Sequence, residues 1–554
     1  MRILLVASAF NSLTQRVFAE LRDHNHAVER VTADGDDSVR EAVRRYAPEL
    51  IVAPVLTTPL PEDVRSAHTC LVVRPGPPGD RGPSPLDWAL RHGAQRWGVT
   101  VMEASEERDA GDIWTSVPCD LPPAGKSDLY RNEIADAAAE GVLLAVRRVA
   151  SGTYRPMPQS ALEPERVVRR PAFAQELRRI DWESDPTRTV LSKLRGADSR
   201  PGVLDSLLGG EWFLHGGHPE DRLGGRPGAL LATRAGAVCR ATTDGAVWIP
   251  QLRPRPQPGG PVTFKLPAVQ ALGGLLPDLP EVHAPLRLPA QRRTWTDIQY
   301  REEGPVGFLR FSFPDGAMST PQCRRLLAAY RFARNRPTSV IVLGGARDIF
   351  ANGIHLHVIE TAGDPAKESW ANINAMDDLV EAVIDTTDRF VVAALGGNAA
   401  GGGAMLAMAA DEVWCRSGTV LNPHYRRMGL YGSEYWTYTL PRRVGADRTE
   451  SLMAEAMPVS AAGALRAGLA DRVVAARPQD FGAETARMAA ELAGDAGLSV
   501  RIGDKKAMRE RDEEVKPLRR YREEELERMR RAFFSADEPY HALRGAFVRG
   551  ESGR

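Results

Sequence analysis

Short apolar runs recur at 2–7, 27–32, 50–53, 69–73 and 98–103. Between the first two, Leu13, Val17, Phe18 and Leu21 repeat at helical spacing. Strand-length runs alternating with amphipathic helices predict a parallel α/β sheet. The rhythm changes after Pro164, where a helix near 190–195 leads to short runs at 229–233, 237–242 and 246–249. That pattern predicts a small β-rich domain. Residues 253–293 are rich in Pro and Gly and predict a linker. From Trp295 the α/β rhythm returns: strands at 307–313 and 339–344 bracket a helix over 322–335, and a further helix covers about 372–387. The charge-dense stretch 505–531 predicts a solvated or packing helix, with opposite charges four residues apart as at Glu524 and Arg528. The expected organisation is α/β multidomain: 1–160, a β-rich 161–275, a Pro-rich link 276–294, and 295–554.

Composition narrows the function classes. At 554 residues the chain exceeds one hydrophobic core, which agrees with several domains. Basic and acidic residues number 72 each, so no global field favours nucleic acid or an anionic membrane. Cys70, Cys119, Cys239, Cys323 and Cys415 are scattered without a Cys-x-x-Cys pair, which argues against a zinc site or disulfide framework and fits a reducing cytoplasm. The opening Met1-Arg-Ile-Leu-Leu-Val reads as a strand, not a signal peptide. The uncharged stretch 390–410 is only weakly apolar and ends at Asp411 and Glu412, so it reads as strand, glycine turn and core helix, not a membrane span.

Two glycine-bearing turns carry the candidate chemistry of the last unit, Phe350-Ala-Asn-Gly-Ile-His355 and Gly396-Gly-Asn-Ala-Ala-Gly-Gly-Gly-Ala-Met405. Turns of this kind aim backbone N–H groups at a single oxygen, the arrangement of an oxyanion hole; each alone is equally a tight turn. Together, and with Pro458-Val-Ser-Ala-Ala-Gly-Ala-Leu-Arg-Ala-Gly-Leu469 downstream, they resemble the crotonase (enoyl-CoA hydratase/isomerase) superfamily. The resemblance implies a thioester carbonyl polarised by the N–H groups of Ile354 and Gly402, with coenzyme A as carrier. Met405 stands where hydratases place their first catalytic glutamate, and the second carboxylate position falls near His424. A methionine transfers no proton, which argues against hydration. Tyr431, as acid or orienter, and Glu434, as base or orienter, are the polar candidates in Gly429-Leu-Tyr-Gly-Ser-Glu-Tyr-Trp436; plain packing and surface charge are the alternatives.

The first unit holds Cys70-Leu-Val-Val-Arg-Pro-Gly-Pro-Pro-Gly-Asp-Arg-Gly82, then Leu86-Asp-Trp88 and Arg108-Asp-Ala-Gly-Asp112. This series resembles folate-dependent formyltransferases, and the β-rich segment resembles the smaller domain of methionyl-tRNA formyltransferases. Asp109 keeps the family's aspartate, whereas Val72 and Arg74 replace its Asn and His. An arginine stays protonated, so Arg74 would stabilise an oxyanion or grip a folate carboxylate. Asp80 and Asp87 read as helix capping or loop solvation. Asn11, Ser12, Gln15 and Arg16 at a helix start suit a phosphate or polar ligand, or simply cap the helix. Arg131 and Arg544 are further candidates for the phosphates of coenzyme A.

A formyltransferase-like module joined to a crotonase-like one resembles the HypX-type (HoxX) nickel–iron hydrogenase maturation factors. Stretches such as Phe10-Asn-Ser-Leu-Thr-Gln-Arg16, Asn374-Ala-Met-Asp-Asp378 and 429–436 carry that resemblance. It implies formyl transfer from 10-formyltetrahydrofolate to coenzyme A, decarbonylation of formyl-CoA to carbon monoxide, and hydrogenase maturation proteins as partners. Alternatives are a formyl- or acyl-CoA transferase or hydrolase of another pathway, or a folate- and CoA-binding scaffold with inactive sites.

Overall fold

The computed structural model describes residues 1–551; residues 552–554, at the end of the expected last unit, lie outside the described residues. The N-terminal sheet has six strands in the spatial order Ala27–Thr32, Arg2–Ala7, Leu50–Ala53, Cys70–Arg74, Arg96–Glu103, Ile113–Asp120. Its first four strands are parallel. Arg96–Glu103 runs antiparallel to both of its neighbours, and the chain between it and Ile113–Asp120 holds no helix to carry a crossover. Alternate side chains feed opposite faces: Ile3 and Leu5 enter one core, Leu4 and Val6 the other. Burial on both faces is why the strand reads as a continuous apolar run.

The middle unit is two four-stranded antiparallel sheets, one built on Gly210–His215 and the other on Ala237–Ala241, closed over a core that includes Val190, Leu194, Leu214 and Ile249. The expected linker is fastened to this unit. Thr233 donates to Pro280 and accepts from Val282, and Arg234 reaches the carbonyls of Val282 and Trp295. Within the Pro-rich stretch, Leu266–Pro267 adds an edge strand and Ala268–Leu272 a short helix.

The C-terminal sheet orders Ile298–Glu303, Val306–Phe311, Val340–Gly344, Phe390–Leu395, Glu412–Arg416 and Arg472–Val474, parallel after its first hairpin. The helix Thr320–Arg334 starts at a capping box in which Ser319 and Gln322 bond reciprocally. Asp364 caps Pro365–Ile384 through the Lys367 N–H at 3.1 Å. The uncharged stretch becomes the strand Phe390–Leu395 and the helix Gly402–Met408, and no described helix is long and apolar enough to cross a membrane. The charge-dense end is two helices, Leu498–Val515 and Leu518–Phe534, separated at Pro517, which lacks the N–H to continue a helix. The second packs on Pro365–Ile384 and buries Glu525, Met529 and Phe533.

Candidate functional site

The two glycine-bearing turns meet beyond the C-terminal sheet. Ala351 bridges to Ala399, and Ile354 to Met318. A β-carbon at Gly353 would stand 3.0 Å from the Gly402 nitrogen, and one at Gly403 would fall 2.1 Å from the Ala351 carbonyl, so close contact requires glycine there. Among the described residues no acceptor takes the N–H of Ile354 or of Gly402. Both donors are free for a ligand oxygen.

Glu434 closes this corner. It is 1% exposed, and a β-carbon at Gly402 would meet its Oε1 at 2.1 Å. Its Oε2 accepts from the Tyr425 hydroxyl at 2.7 Å and from the Ser433 N–H at 3.1 Å. Burial pushes the carboxyl up to about 7 in spite of the Tyr425 hydrogen bond, with the Glu525 charge adding to the rise. A carboxyl that titrates near neutrality can both take and return a proton. Burial and the Glu434 charge push the Tyr425 hydroxyl well above its ordinary value, so it remains a donor.

Tyr431 does not reach that carboxylate. Its ring packs 5.1 Å from Trp436 with the Arg528 guanidinium 4.4 Å above it, on the wall of a cleft of about 410 Å³ shared with Thr437 and Glu525. The sequence pairing of Tyr431 with Glu434 therefore gives way to Tyr425 with Glu434. Met405 is core packing, and His424 holds its Nδ1 2.9 Å from the Asn422 carbonyl oxygen. The carboxylate that the hydratase positions lack arrives from the later turn.

In the N-terminal module Arg74 is buried and committed. Its Nη2 donates to Asp80 Oδ2 and to the Gly82 carbonyl, each at 2.9 Å, its Nε donates to the Asp80 carbonyl, and its Nη1 lies 2.7 Å from Asp109 Oδ2. Asp109 also accepts from the Gly82 N–H at 3.1 Å. Arg74 thus locks the Pro-Gly loop to Asp109 and holds four of its five N–H groups in protein contacts. This leaves the expected grip on a folate carboxylate without a free fork. Asp80 and Asp87 are neither caps nor solvated. Asp80 also pairs with Arg170 at 2.6 Å, and Asp87 with Arg178 at 2.6 Å and Lys126 at 3.0 Å, all as buried or half-buried ion pairs.

Of the phosphate candidates, Gln15, Arg16 and Arg131 stand along the junction of the two modules, already partnered. Asn11 caps the helix Ser12–Asp23 through the Thr14 N–H at 3.1 Å, with Ser12 as its first residue. Gln15 Oε1 accepts from Asn422 at 3.2 Å. Arg16 pairs with Asp136, which also takes Arg416 at 2.9 Å. Arg131 makes a two-pronged bond to Asp348 at 2.8 and 3.1 Å, and Arg544 pairs with Glu360 at 2.7 Å. Arg16 serves the interface and Arg544 the packing of the last helix, so the structure does not gather the six into one cluster.

Three family models match the chain: formyl transferase over residues 7–146, the formyl transferase C-terminal domain over 173–258, and enoyl-CoA hydratase/isomerase over 310–543. It is 45% identical over 549 residues to the hydrogenase maturation factor HoxX of Bradyrhizobium diazoefficiens, covering 99% of this chain and 94% of that one. The chain belongs to the HoxX/HypX family of hydrogenase maturation factors. A crystal structure of HypX from Aquifex aeolicus in complex with tetrahydrofolic acid matches this HoxX/HypX member with a TM-score of 0.94 and 42% identity, over 100% of this chain and 96% of that one. A methionyl-tRNA formyltransferase of Geobacillus thermodenitrificans is 27% identical over 43% of this chain and 75% of its own length. The family's two modules are thereby accounted for.

Sequence reasoning missed Tyr425, Asp377 and Glu525 of this HoxX/HypX chain. Tyr425 directly follows His424 and Asp377 lies in Asn374-Ala-Met-Asp-Asp378, so a signal was at hand for both. Glu525 sits in a run of like residues, Glu523 to Glu525, with nothing to mark the one that is buried.

Proposed function

We propose that the chain supplies carbon monoxide to the iron of a nickel–iron hydrogenase by splitting formyl-CoA at Glu434. The observation that carries this reading is a buried carboxyl, poised near neutrality, packed against Gly402 at a corner where the N–H groups of Gly402 and Ile354 have no acceptor. Those N–H groups would hold the formyl oxygen. Glu434 would take the formyl hydrogen as a proton while its bonding pair stays on carbon. The carbon–sulfur bond then breaks with its pair on sulfur, and the thiolate recovers the proton. Carbon monoxide and the free thiol result, with no net oxidation. Tyr425 would orient Glu434 and share its charge. With Met405 in place of the hydratase glutamate, water beside the thioester lacks its usual activator.

The formyl donor of this reading is 10-formyltetrahydrofolate, bound in the N-terminal module with Asp109 at the reacting carbon. The tetrahydrofolate complex of the Aquifex aeolicus relative supports it. Coenzyme A would lie along the module junction, where Gln15 and Arg131 stand with Asn11 and Ser12 at the helix start. The committed state of Arg74 favours a second reading, in which formyl-CoA arrives preformed and the N-terminal site transfers nothing.

One experiment separates the two. The protein is given either formyl-CoA, or 10-formyltetrahydrofolate with coenzyme A, and released carbon monoxide is trapped on reduced haemoglobin. Both readings expect a signal from formyl-CoA, and only the first expects it from the folate pair. No signal from either overturns the proposal. Glu434→Gln is expected to lower release by about 100-fold or more, the scale of a lost general base. Tyr425→Phe is expected to lower it more than Tyr431→Phe.

A further inference from the structure

Behind Glu434 lie two more buried carboxylates that no step above uses. Asp377, from the helix Pro365–Ile384, and Glu525, from Leu518–Phe534, are each 0% exposed. Ser433 stands between them. Its Oγ is 2.9 Å from both oxygens of Asp377 and 3.3 Å from Glu525 Oε2. A hydroxyl has one hydrogen, so it can donate to only one of the two. Two bare carboxylates facing each other across a single hydroxyl in a dry interior would be strongly disfavoured.

Counting donors says where the extra proton sits. Besides Ser433, Glu525 receives the N–H groups of Tyr435 and Thr437, each at 2.9 Å, and the Thr437 hydroxyl at 2.5 Å. Four donors satisfy an ionised carboxylate. Among the described residues Asp377 receives, apart from Ser433, only the Glu434 N–H at 2.8 Å. Arg522 lies 3.8 Å from Asp377, but its guanidinium is bonded to Asp378 at 2.7 Å and Glu381 at 3.0 Å. The Tyr425 hydroxyl and the Cys323 thiol, the latter pushed up to about 12 by burial, also face this corner and stay neutral, and Tyr431, Glu524, Glu527, Arg528 and Arg531 line the cleft beside Glu525.

We propose that Asp377 is a neutral acid donating to Ser433, that Ser433 donates to an ionised Glu525, and that this chain seats Glu434 against Gly402. The seat is needed because Glu434 and Tyr435 both adopt left-handed backbone, with φ of 62° and 60°, which costs any residue bearing a β-carbon. The N–H groups of Glu434, Tyr435 and Thr437 are the ones these two carboxylates hold. Burial and the charges of Glu434 and Glu525 push Asp377 well above the ordinary carboxylate range, whereas Glu525 rises to about 7, in agreement with this order of ionisation. Asp377, Ser433 and Glu525 are positioning residues, and the inference rests on the reading of Glu434 as the proton-handling group.

The test has two arms. In the first, the full-length protein is labelled at aspartate carboxyls and followed by infrared spectroscopy at about pH 8, well above the ordinary aspartate range. A protonated aspartic-acid band is expected in the wild type and absent in Asp377→Asn. A wild type without that band overturns the inference, whatever the protein turns over. In the second, carbon monoxide release is compared among variants. Asp377→Asn, which reproduces the hydrogen bonds of the neutral acid, is expected to lose much less than Asp377→Ala. Glu525→Gln, which puts an amide N–H₂ against backbone donors, is expected to lose about tenfold or more in kcat with KM little changed. It should also move the acid limb of the rate profile to lower pH, because an anion beside Glu434 has gone; a packing role alone would leave the limb in place. Equal losses in Asp377→Asn and Asp377→Ala, or an unmoved limb, overturn the inference. A wild type that shows the band yet releases no carbon monoxide sinks the functional reading and leaves the proton assignment standing.

Discussion

Burial of Glu434 disfavours its ionised form, which costs the fold stability at alkaline pH. Its carboxyl is raised from 4.5 to about 7, so between those values the folded chain holds a proton that the unfolded chain has released. Stability contributed by the protonated form is full below about pH 4.5 and is lost as pH rises through about 7. Glu434→Gln keeps an acceptor for Tyr425 and removes the titration. It is expected to raise stability at about pH 8 by roughly 1–3 kcal/mol and to flatten the decline across that window, as measured by denaturant unfolding at several pH values. Arg74 has the opposite character. A residue that looked like a drifted catalytic group is a clamp on Asp80, Asp109 and two carbonyls. Arg74→His would leave those acceptors short of donors, with an expected loss of roughly 3–5 kcal/mol in urea unfolding and no gain in formyl transfer.

At the scale of elements, the glycine turns work because the backbone beyond two parallel strands is brought into contact. Gly402→Ala would drive a β-carbon into Glu434 Oε1. The expected result is a loss of carbon monoxide release of about 100-fold or more with unchanged circular dichroism, since alanine is itself a strong helix former at the first position of Gly402–Met408. The helix Thr320–Arg334 and the later part of Pro365–Ile384 were legible from period, a local property, whereas the start of the second at its Asp364 cap, ahead of the expected 372, was not. Strand direction was less legible. Arg96–Glu103 has the apolar pattern of the parallel strands yet runs antiparallel to both neighbours; its helix-free connection marks the reversal to Ile113–Asp120, whereas the helix Pro85–Arg91 precedes the other reversal and disguises it. The charged C-terminal stretch was legible as helix but not as a wall of the site, because one buried glutamate does not alter a polar pattern.

The modules are joined by charge. Asp136 holds Arg16 and the nearly inaccessible Arg416 at once, Arg131 grips Asp348, Arg347 grips Asp128 and Glu133, and Asp23 reaches Ser460 and Arg466. Breaking such a pair leaves a buried charge without a partner. Asp136→Ala is expected to cost roughly 3–5 kcal/mol and to lower the unfolding temperature of both modules together in calorimetry. Two separated transitions, with the C-terminal one unmoved, would show that the junction does not couple them.

What the sequence determined by itself was the order and type of the modules, the two glycine turns and the absence of the hydratase glutamate. The succession of α/β and β-rich units follows from local periodicity, and the module types and the missing glutamate from the resemblance of the motifs to known families. Tertiary structure decided which tyrosine faces Glu434, that Arg16 and Arg74 are bound up in ion pairs, and that Asp377 and Glu525 stand behind the site. The physical reason is that a side chain's proton affinity and its freedom to meet a ligand depend on burial and on neighbours from distant parts of the chain. Asp377 and Glu525 are far apart in sequence and share one hydroxyl, and no pattern along the chain records that distance.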